Sequence, residues 1–298
     1  MAGRIGHVAT RLTVFPPLQA PPSLYWQIPA IRRIREAYEK RFDLTVFEWP
    51  YFQAGGARTP DDLIAALTGA LSTGGLVVAE APAVTPLLVA LDRGARPPDA
   101  FVAVGLDPTS ATMRSLGLGE VVEAAKRLTD TEGRLRQVKG FLGEVVRDAA
   151  LLDEVETAVP WQAVFAFEDW LEGFDLLTLG PFDDVPALVL TSSMFPLLAE
   201  GETVQVFQRL FPNSTTVHVE TYPRGLDKAA TGDELTAAVI PFLASASSGG
   251  GLMNVDSLAA GESSAYASEQ GGATMARPFR GWEAGPYMWG GVWRLRRR

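Results

Sequence analysis

Short apolar stretches alternate with longer segments of helical periodicity between about residues 10 and 244. Six stretches have the character of strands, namely Arg11–Phe15, Leu44–Glu48, Leu76–Ala81, Ala100–Gly105, Ala187–Thr191 and Thr215–Glu220. Between them, segments 28–42 and 60–75 repeat apolar residues at helical spacing, and Thr59 followed by Pro60 predicts the start of the second helix. This alternation predicts an α/β fold with a mostly parallel sheet covered by helices on both faces.

The alternation stops between about Pro108 and Asp183, where amphipathic segments follow one another without a strand. This pattern predicts a helical insertion, which is either a separate subdomain or a cap over a pocket. Its aromatic residues have two interpretations: they form the core of the subdomain, or they line a cleft beneath it. They are Trp161, Phe165, Phe167 and Trp170.

The composition changes after Ala244, where we place the end of the main domain. Residues 245–276 are rich in Ser and Gly, which predicts a flexible linker. Residues 277–298 contain six Arg and one Glu, a net charge of +5 in a chain of −9. Trp and Tyr favour membrane interfaces, Arg clusters attract anionic headgroups, and Trp and Arg are enriched at protein interfaces. We expect an extended C-terminal tail here, and its predicted anchoring residues are Phe279, Arg280, Trp282, Tyr287, Trp289, Trp293, Arg294, Arg296, Arg297 and Arg298.

The composition of the 298-residue chain disfavours several kinds of catalytic site and partner. It has no Cys and two His, which disfavours disulfides, thiolate nucleophiles and metal centres, and we expect no cofactor. The acidic charge disfavours nucleic acid as a partner. No apolar run is long enough to cross a bilayer and no secretory signal precedes the domain, which predicts a peripheral position on the cytoplasmic face of a membrane.

The order of elements over residues 10–244 resembles the α/β-hydrolase fold. Residues 12–26 resemble the family's third strand and the loop after it, and residues 44–57 the next strand and its turn. Residues 60–91 resemble the helix, strand, turn and helix that carry the nucleophile. Residues 185–243 resemble the remainder of that fold. No single motif is intact, so the resemblance rests on order and spacing.

The resemblance implies that the catalytic positions are degenerate. Ala81 matches the nucleophile, Phe195 the acid and Leu226 the histidine. The family uses the backbone N–H after the nucleophile as an oxyanion donor, and here that residue is Pro82, which has no N–H. These replacements imply a pseudo-hydrolase with no catalytic residues.

Three other polar residues have competing interpretations. Glu80 is either a carboxylate nucleophile or an acidic residue held by backbone N–H groups or serving as a cap. Asp107 is either a displaced catalytic acid or an ordinary turn residue before proline. His218 is predicted to be a solvated or locally hydrogen-bonded strand residue rather than a base.

We therefore expect a non-catalytic, membrane-extrinsic structural subunit of a larger membrane complex, photosynthetic or respiratory. Its partners would be other protein subunits and anionic lipid headgroups, contacted through residues 277–298. One alternative is a small-molecule binding or sensing protein that uses the emptied hydrolase pocket. Another is an atypical hydrolase that uses Glu80 or Asp107 with Asp227.

Overall fold

Six parallel strands form the central sheet of the computed structural model, which describes residues 10–53, 56, 59–126, 131–145, 148–192, 200–220, 222–223, 225–248, 282–289 and 292–297. They are β1 (Arg11–Phe15), β2 (Asp43–Val46), β3 (Leu76–Glu80), β4 (Ala100–Val104), β5 (Ala187–Thr191) and β6 (Ser214–His218). The strand order is β2-β1-β3-β4-β5-β6. Each strand lies within two residues of its predicted bounds, so the predicted parallel sheet is confirmed.

The central strands are buried on both faces, which explains their continuous apolar sequences. All five residues of β3 are buried, and Val78 pairs in register with Val14 on one side and Val102 on the other. Side chains alternate between faces along a strand. Accordingly, Val77 and Ala79 belong to one hydrophobic core, and Leu76 and Val78 belong to a second core on the opposite face.

Helices cover both faces of this sheet. In chain order they are α1 (Pro22–Tyr25), α2 (Pro29–Glu39), α3 (Pro60–Leu71), α4 (Val84–Asp92), α5 (Ser110–Ser115), α6 (Gly119–Lys126), α7 (Thr131–Val145), α8 (Ala149–Ala158), α9 (Trp161–Leu171), α10 (Glu200–Leu210) and α11 (Ala229–Ser247). Thr59 caps α3 as predicted: its hydroxyl accepts from the Asp62 backbone N–H, and the Asp62 carboxylate accepts from the Thr59 N–H.

Helices α2 and α11 pack closely against the same sheet face. A Cβ atom added at Gly232 of α11 would lie 2.4 Å from the backbone oxygen of Ala30 and 2.9 Å from Cβ of Arg33. An ion pair adjoins this contact, with 2.6 Å between Arg33 Nε and Asp233 Oδ1. The glycine therefore permits a helix separation that a larger residue would prevent.

Helices α5 to α9 form the insertion between β4 and β5. Asp148 caps the N-terminus of α8: its carboxylate accepts hydrogen bonds from the backbone N–H groups of Ala150 and Leu151 at 3.0 and 3.2 Å. Phe167 is buried and stacks on Trp170, with ring centroids 5.7 Å apart. Phe165 and Phe167 are therefore part of the core, and Trp161 and Trp170 pack against it half-buried.

The described part of the chain end contains a longer helix than predicted and two paired strands in place of a single extended tail. Helix α11 continues to Ser247, past the predicted domain end at Ala244. Further on, β7 (Trp282–Trp289) and β8 (Val292–Arg297) pair as an antiparallel hairpin beside α7. The predicted anchoring residues Phe279, Arg280 and Arg298 lie outside the described residues, as does most of the predicted linker. Within the described ranges, no helix has both the length and the apolar character needed to cross a membrane.

Candidate functional site

The strand order reverses at β1. From β1 the chain passes to β2 on one side, then crosses to β3 on the other side of β1 and continues outward to β6. In open α/β sheets, ligands bind in the crevice that such a reversal leaves at the carboxyl ends of the strands. Here the loop after β1 and the last residue of β3, Glu80, both contribute to a pocket at this place.

This pocket, called the apolar pocket below, has a volume of about 50 Å³. A water molecule needs about 10–15 Å³ on this measure, so the pocket can hold a few water-sized groups. Its lining is Pro17, Gln19, Ala20, Pro21, Leu24, Tyr25, Ile28, Ile31, Glu80, Leu142, Leu151, Leu152, Val155, Tyr222 and Leu226. Leu142 and Leu152, from the helical insertion, are half-buried, so the pocket reaches the surface beside them.

Glu80 supplies the carboxyl group of the apolar pocket. It is 5% exposed, and Oε2 accepts a long hydrogen bond from the Tyr222 hydroxyl at 3.5 Å. Burial raises the pKa of Glu80 to about 7, against a smaller opposing effect of the Tyr25 and Tyr222 hydroxyls. Tyrosine hydroxyls, and not the expected backbone N–H groups, are therefore the partners of this carboxyl.

Three buried tyrosines surround Glu80. Burial, and then the Glu80 charge, raise the pKa of Tyr25, Tyr38 and Tyr222. The buried Oη of Tyr25 makes no hydrogen bond of normal geometry in the described structure. Its hydroxyl is therefore only loosely held by Glu80, and an oxygen atom bound in the pocket can compete with Glu80 for this donor.

A second, smaller pocket of about 20 Å³ lies between the end of β4 and α9. We call it the acidic pocket, because Asp107, Glu168 and Glu172 line it together with Leu18, Pro82, Thr85, Pro108, Thr109 and Leu171. Burial raises the pKa of Asp107 well above its usual range, and the charges of Glu168 and Glu172 raise it further. Asp107 is thus neither a simple surface turn residue nor part of the Glu80 pocket.

Glu168 lies at the boundary between the two pockets. Its Oε1 accepts from Gln19, which lines the apolar pocket, and its Oε2 lies 2.9 Å from Arg134 Nη2 of α7. Burial raises the pKa of Glu168 to about 7, and Arg134 opposes this shift. No set of three His, Cys, Asp or Glu side chains within the described part of the chain is arranged to hold a metal ion.

Three of the positions named from the hydrolase resemblance, Ala81, Pro82 and Leu226, lie in this region. Ala81 directly follows β3 and is 1% exposed, and α4 begins three residues later, so the predicted strand–turn–helix is present. Leu226 lines the apolar pocket and Pro82 the acidic pocket. Phe195 lies outside the described residues. His218 is exposed on β6, with Nδ1 3.4 Å from Thr191 Oγ1.

Comparison with known proteins adds structures but no sequence relatives: no family model and no curated protein matches the chain. A protein assigned as a lipase from Acinetobacter baumannii matches with a TM-score of 0.60 and 11% identity, over 82% of this chain and 87% of that one. A hydrolase from Oleispira antarctica matches with a TM-score of 0.56 and 12% identity, over 78% of this chain and 91% of that one. An N-formylmaleamic acid deformylase from Pseudomonas putida matches with a TM-score of 0.53 and 15% identity, over 78% of this chain and 92% of that one. The chain has the α/β-hydrolase fold. At these identities the likeness shows the fold alone.

The prediction that the chain is a pseudo-hydrolase without activity is contradicted. The three solved structures compared above, a protein assigned as a lipase, a hydrolase and a deformylase, are enzymes with the same fold. The prediction relied on replaced positions such as Ala81 and Leu226; it considered Glu80 without favouring it as a catalytic group, and it did not consider Glu168. Glu80 and Glu168 are ionisable groups in this region, each with a pKa raised to about 7.

Sequence reasoning missed Gln19, Tyr25, Glu168 and Tyr222. Glu168 had a readable signal: it shares the helical spacing of Val164, Phe167 and Leu171, which are all buried. A carboxylate on the apolar face of a helix indicates a buried charge that needs a partner. The other three residues lie in loops or short helices without periodicity, so no comparable signal identified them.

Proposed function

We propose that the chain is a hydrolase for small neutral esters or lactones, with Glu80 as its general base. The observation that carries this proposal is a buried carboxyl, with a pKa of about 7, facing an apolar pocket at the reversal of strand order. A general base works best when its pKa is near the pH at which it operates. This position in the α/β-hydrolase fold supports hydrolysis over other reactions, as an analogy of fold.

Ala81 has no nucleophilic atom at the place that the resemblance assigns to the nucleophile, so water is the proposed nucleophile. Glu80 removes a proton from a water molecule as the water oxygen attacks the carbonyl carbon. The Tyr25 hydroxyl, which faces Glu80 in the empty pocket, turns to donate to the developing oxyanion. Protonated Glu80 then gives its proton to the leaving alkoxide oxygen, which yields an acid and an alcohol, or one hydroxy acid from a lactone.

The lining determines the substrate class. It contains no Lys, Arg or His among the described residues, and the side chains around Glu80 are mainly aliphatic, such as Leu24, Ile31 and Leu151. A negatively charged substrate would therefore place a second anion beside Glu80 without compensation. The volume of about 50 Å³ favours a short acyl group or a small ring at the reacting end.

The test is turnover of p-nitrophenyl acetate, p-nitrophenyl butyrate and γ-butyrolactone by the full chain. General acid–base catalysis contributes about 10²–10⁴-fold, so Glu80→Gln is expected to lower kcat by at least about 100-fold. Glu48→Gln is the matched control, because Glu48 is exposed just beyond the carboxyl end of β2. Wild-type protein without turnover of any of the three, or full activity in Glu80→Gln, would overturn the proposal.

Attachment to a partner is a separate proposal. The favouring observation is the concentration of Trp and Arg in residues 277–298, where three of the seven Trp and six Arg occur. We propose that this segment holds the chain on a membrane complex or on anionic lipid, while the domain keeps its own chemistry. Tethering of this kind raises affinity through effective concentration and leaves the apolar pocket unchanged.

A further inference from the structure

Negative charge exceeds positive charge around the acidic pocket. Three carboxyl groups line it, from Asp107, Glu168 and Glu172, and among the described residues Arg134 forms an ion pair with one of them, Glu168. Arg134 also pairs with the exposed Asp169, at 2.6 Å between Nη1 and Oδ1. Buried carboxylates in excess of their cations are costly unless they bind protons or a further cation.

Among the described residues, Asp107 is the group of this pocket that lacks a partner. It is 7% exposed, and its Oδ2 makes no hydrogen bond to any described residue although it is buried in the pocket lining. The neighbouring hydroxyl donors are already used. Thr85 donates to the Asp107 backbone oxygen at 3.2 Å, and Thr109 donates to the Phe174 backbone oxygen. Oδ2 therefore accepts from a water molecule or a ligand in the pocket, unless the Asp107 carboxyl itself carries a proton.

Size and geometry favour an ammonium group over the other cations. A volume of about 20 Å³ accommodates roughly one water-sized group. A primary ammonium has that size and three N–H donors, which bond to carboxylate oxygens at about 2.7–2.9 Å. A quaternary ammonium is larger and has no donor. A metal ion needs convergent ligands at about 2.0–2.6 Å, and no such group of acidic side chains exists in the described ranges.

The acidic pocket is separate from the site proposed for hydrolysis. Its rim is Glu172, a half-buried residue at the end of α9, whereas the apolar pocket reaches the surface beside Leu142 and Leu152. The hydrogen bond between Gln19 and Glu168 lies between them. A ligand can therefore enter the acidic pocket without passing Glu80.

We propose that the acidic pocket is a binding site for a primary ammonium group, held by Asp107 with Glu172 and Glu168. This inference goes beyond the proposed hydrolysis and does not depend on it. The ammonium nitrogen donates to Asp107 Oδ2 and to the Glu172 carboxylate at the rim. Where Asp107 carries a proton in the empty pocket, binding releases that proton to solvent.

The experiment titrates the full-length protein with methylammonium chloride and follows broadening of the methylammonium methyl resonance at constant ionic strength. Tetramethylammonium is the ligand control. Asp107→Asn and Glu172→Gln are the test variants. Asp99→Asn is the protein control, because Asp99 is exposed just before β4 and Asp107 follows the same strand.

We expect saturable broadening by methylammonium and none by tetramethylammonium. The dissociation constant should rise at least tenfold in Asp107→Asn and severalfold in Glu172→Gln, and it should be unchanged in Asp99→Asn. Equal broadening by both cations, or wild-type affinity in both test variants, would overturn the proposal.

A second measurement needs no variant, so the proposal stays testable even if Asp107→Asn fails to fold. Wild-type affinity for methylammonium, measured from pH 5 to 9, should rise with pH, because burial and the neighbouring carboxyls raise the pKa of Asp107. The ionisable groups that face Asp107 are Glu168, Glu172 and Tyr222, and Arg134 acts through Glu168. An affinity that does not change over this pH range would contradict the proposed exchange of a proton for an ammonium group.

Discussion

Gln19 donates a hydrogen bond to Glu168 across 149 positions of sequence, and this bond separates the apolar pocket from the acidic pocket. Gln19 belongs to the loop after β1, and Glu168 lies on the buried face of α9. The contact therefore ties the helical insertion to the sheet at the point where both pockets meet.

Replacing Gln19 with Leu should weaken this connection. The substitution keeps most of the side-chain volume but removes one donor from the buried Glu168 carboxylate. Hydrogen bonds to charged groups are worth about 1.5–3 kcal/mol, so we expect a loss of that order in the free energy of unfolding, measured in urea. Gln27→Leu is the control, since Gln27 is exposed and bonds only within its own turn, to the Ser23 backbone oxygen at 3.2 Å. Equal effects of the two substitutions would show that the buried bond contributes nothing specific.

Arg134 should be more important to stability than its neighbour Arg136. Arg134 is 12% exposed, pairs with the buried Glu168, and lies over the Phe165 ring at 4.3 Å. Breaking a buried pair by removing one partner costs about 3–5 kcal/mol, and we expect Arg134→Met to approach this loss at pH 8. The loss should be smaller at pH 6, because the Glu168 carboxyl then takes up a proton more readily. Arg136→Met removes an exposed pair with Glu132 and should change stability by less than about 1 kcal/mol.

Stability should fall as the pH rises through the range set by Glu80. Its folded pKa is about 7, above the ordinary value of 4.5, so the folded state binds more protons than the unfolded state between these values. The contribution to stability is therefore fully present below about pH 4.5 and is lost as the pH rises through about 7. Glu80→Gln should remove a decline on the order of 3 kcal/mol between pH 5 and 8, followed by thermal or urea unfolding. An unchanged pH dependence in this variant would contradict the raised pKa.

The same titration predicts the pH profile of the proposed hydrolysis. Only ionised Glu80 can accept a proton from water, so kcat/KM for p-nitrophenyl butyrate should rise with pH and level off above about 7. The measurement is a pH–rate profile from pH 5 to 9, corrected for spontaneous hydrolysis of the ester. A profile that is flat over this range would exclude Glu80 as the base even if the protein is active.

Gly232 should be intolerant of a side chain, in contrast to another helical glycine. The Cβ of Gly232→Ala would meet the Ala30 backbone oxygen at 2.4 Å, and backbone cannot move aside as a side chain can. Overpacking of this kind costs about 1–3 kcal/mol. Gly69→Ala in α3 is the control, because nothing lies within 4 Å of its added Cβ. The control should gain up to about 1 kcal/mol from helix propensity, and opposite signs for the two substitutions are the expected result in urea unfolding.

Truncation tests the proposed anchoring segment. A chain that ends after Ser247 keeps α11 complete and both pockets intact. We expect it to retain ester turnover but to lose comigration with membrane complexes on a native gel of gently solubilised membranes. Full-length and truncated chains that migrate identically, and that bind equally to vesicles with anionic lipid, would contradict the anchoring role.

The parallel sheet could be predicted because its signal is local. Strands such as β1 and β5 are short, mainly apolar segments with helical segments between them, and both were predicted at their observed bounds. The wall of the apolar pocket could not be predicted in this way. Tyr222 and Glu80 are separated by 142 positions, and they meet only because the loop after β6 returns to the end of β3. No periodic pattern in the sequence predicts the contact between Tyr222 and Glu80.

The loop after β1 places neighbouring residues in different compartments. Leu18 lines the acidic pocket, and Gln19 lines the apolar pocket. This short segment therefore forms part of the wall between the two pockets and contributes a side chain to each of them. A point substitution at Leu18 changes the lining of the acidic pocket alone, whereas one at Gln19 changes the apolar pocket and also removes a donor from Glu168. An inserted or deleted residue would shift both linings at once, so these two compartments can diverge through exchanges of side chains but not through changes in the length of the loop.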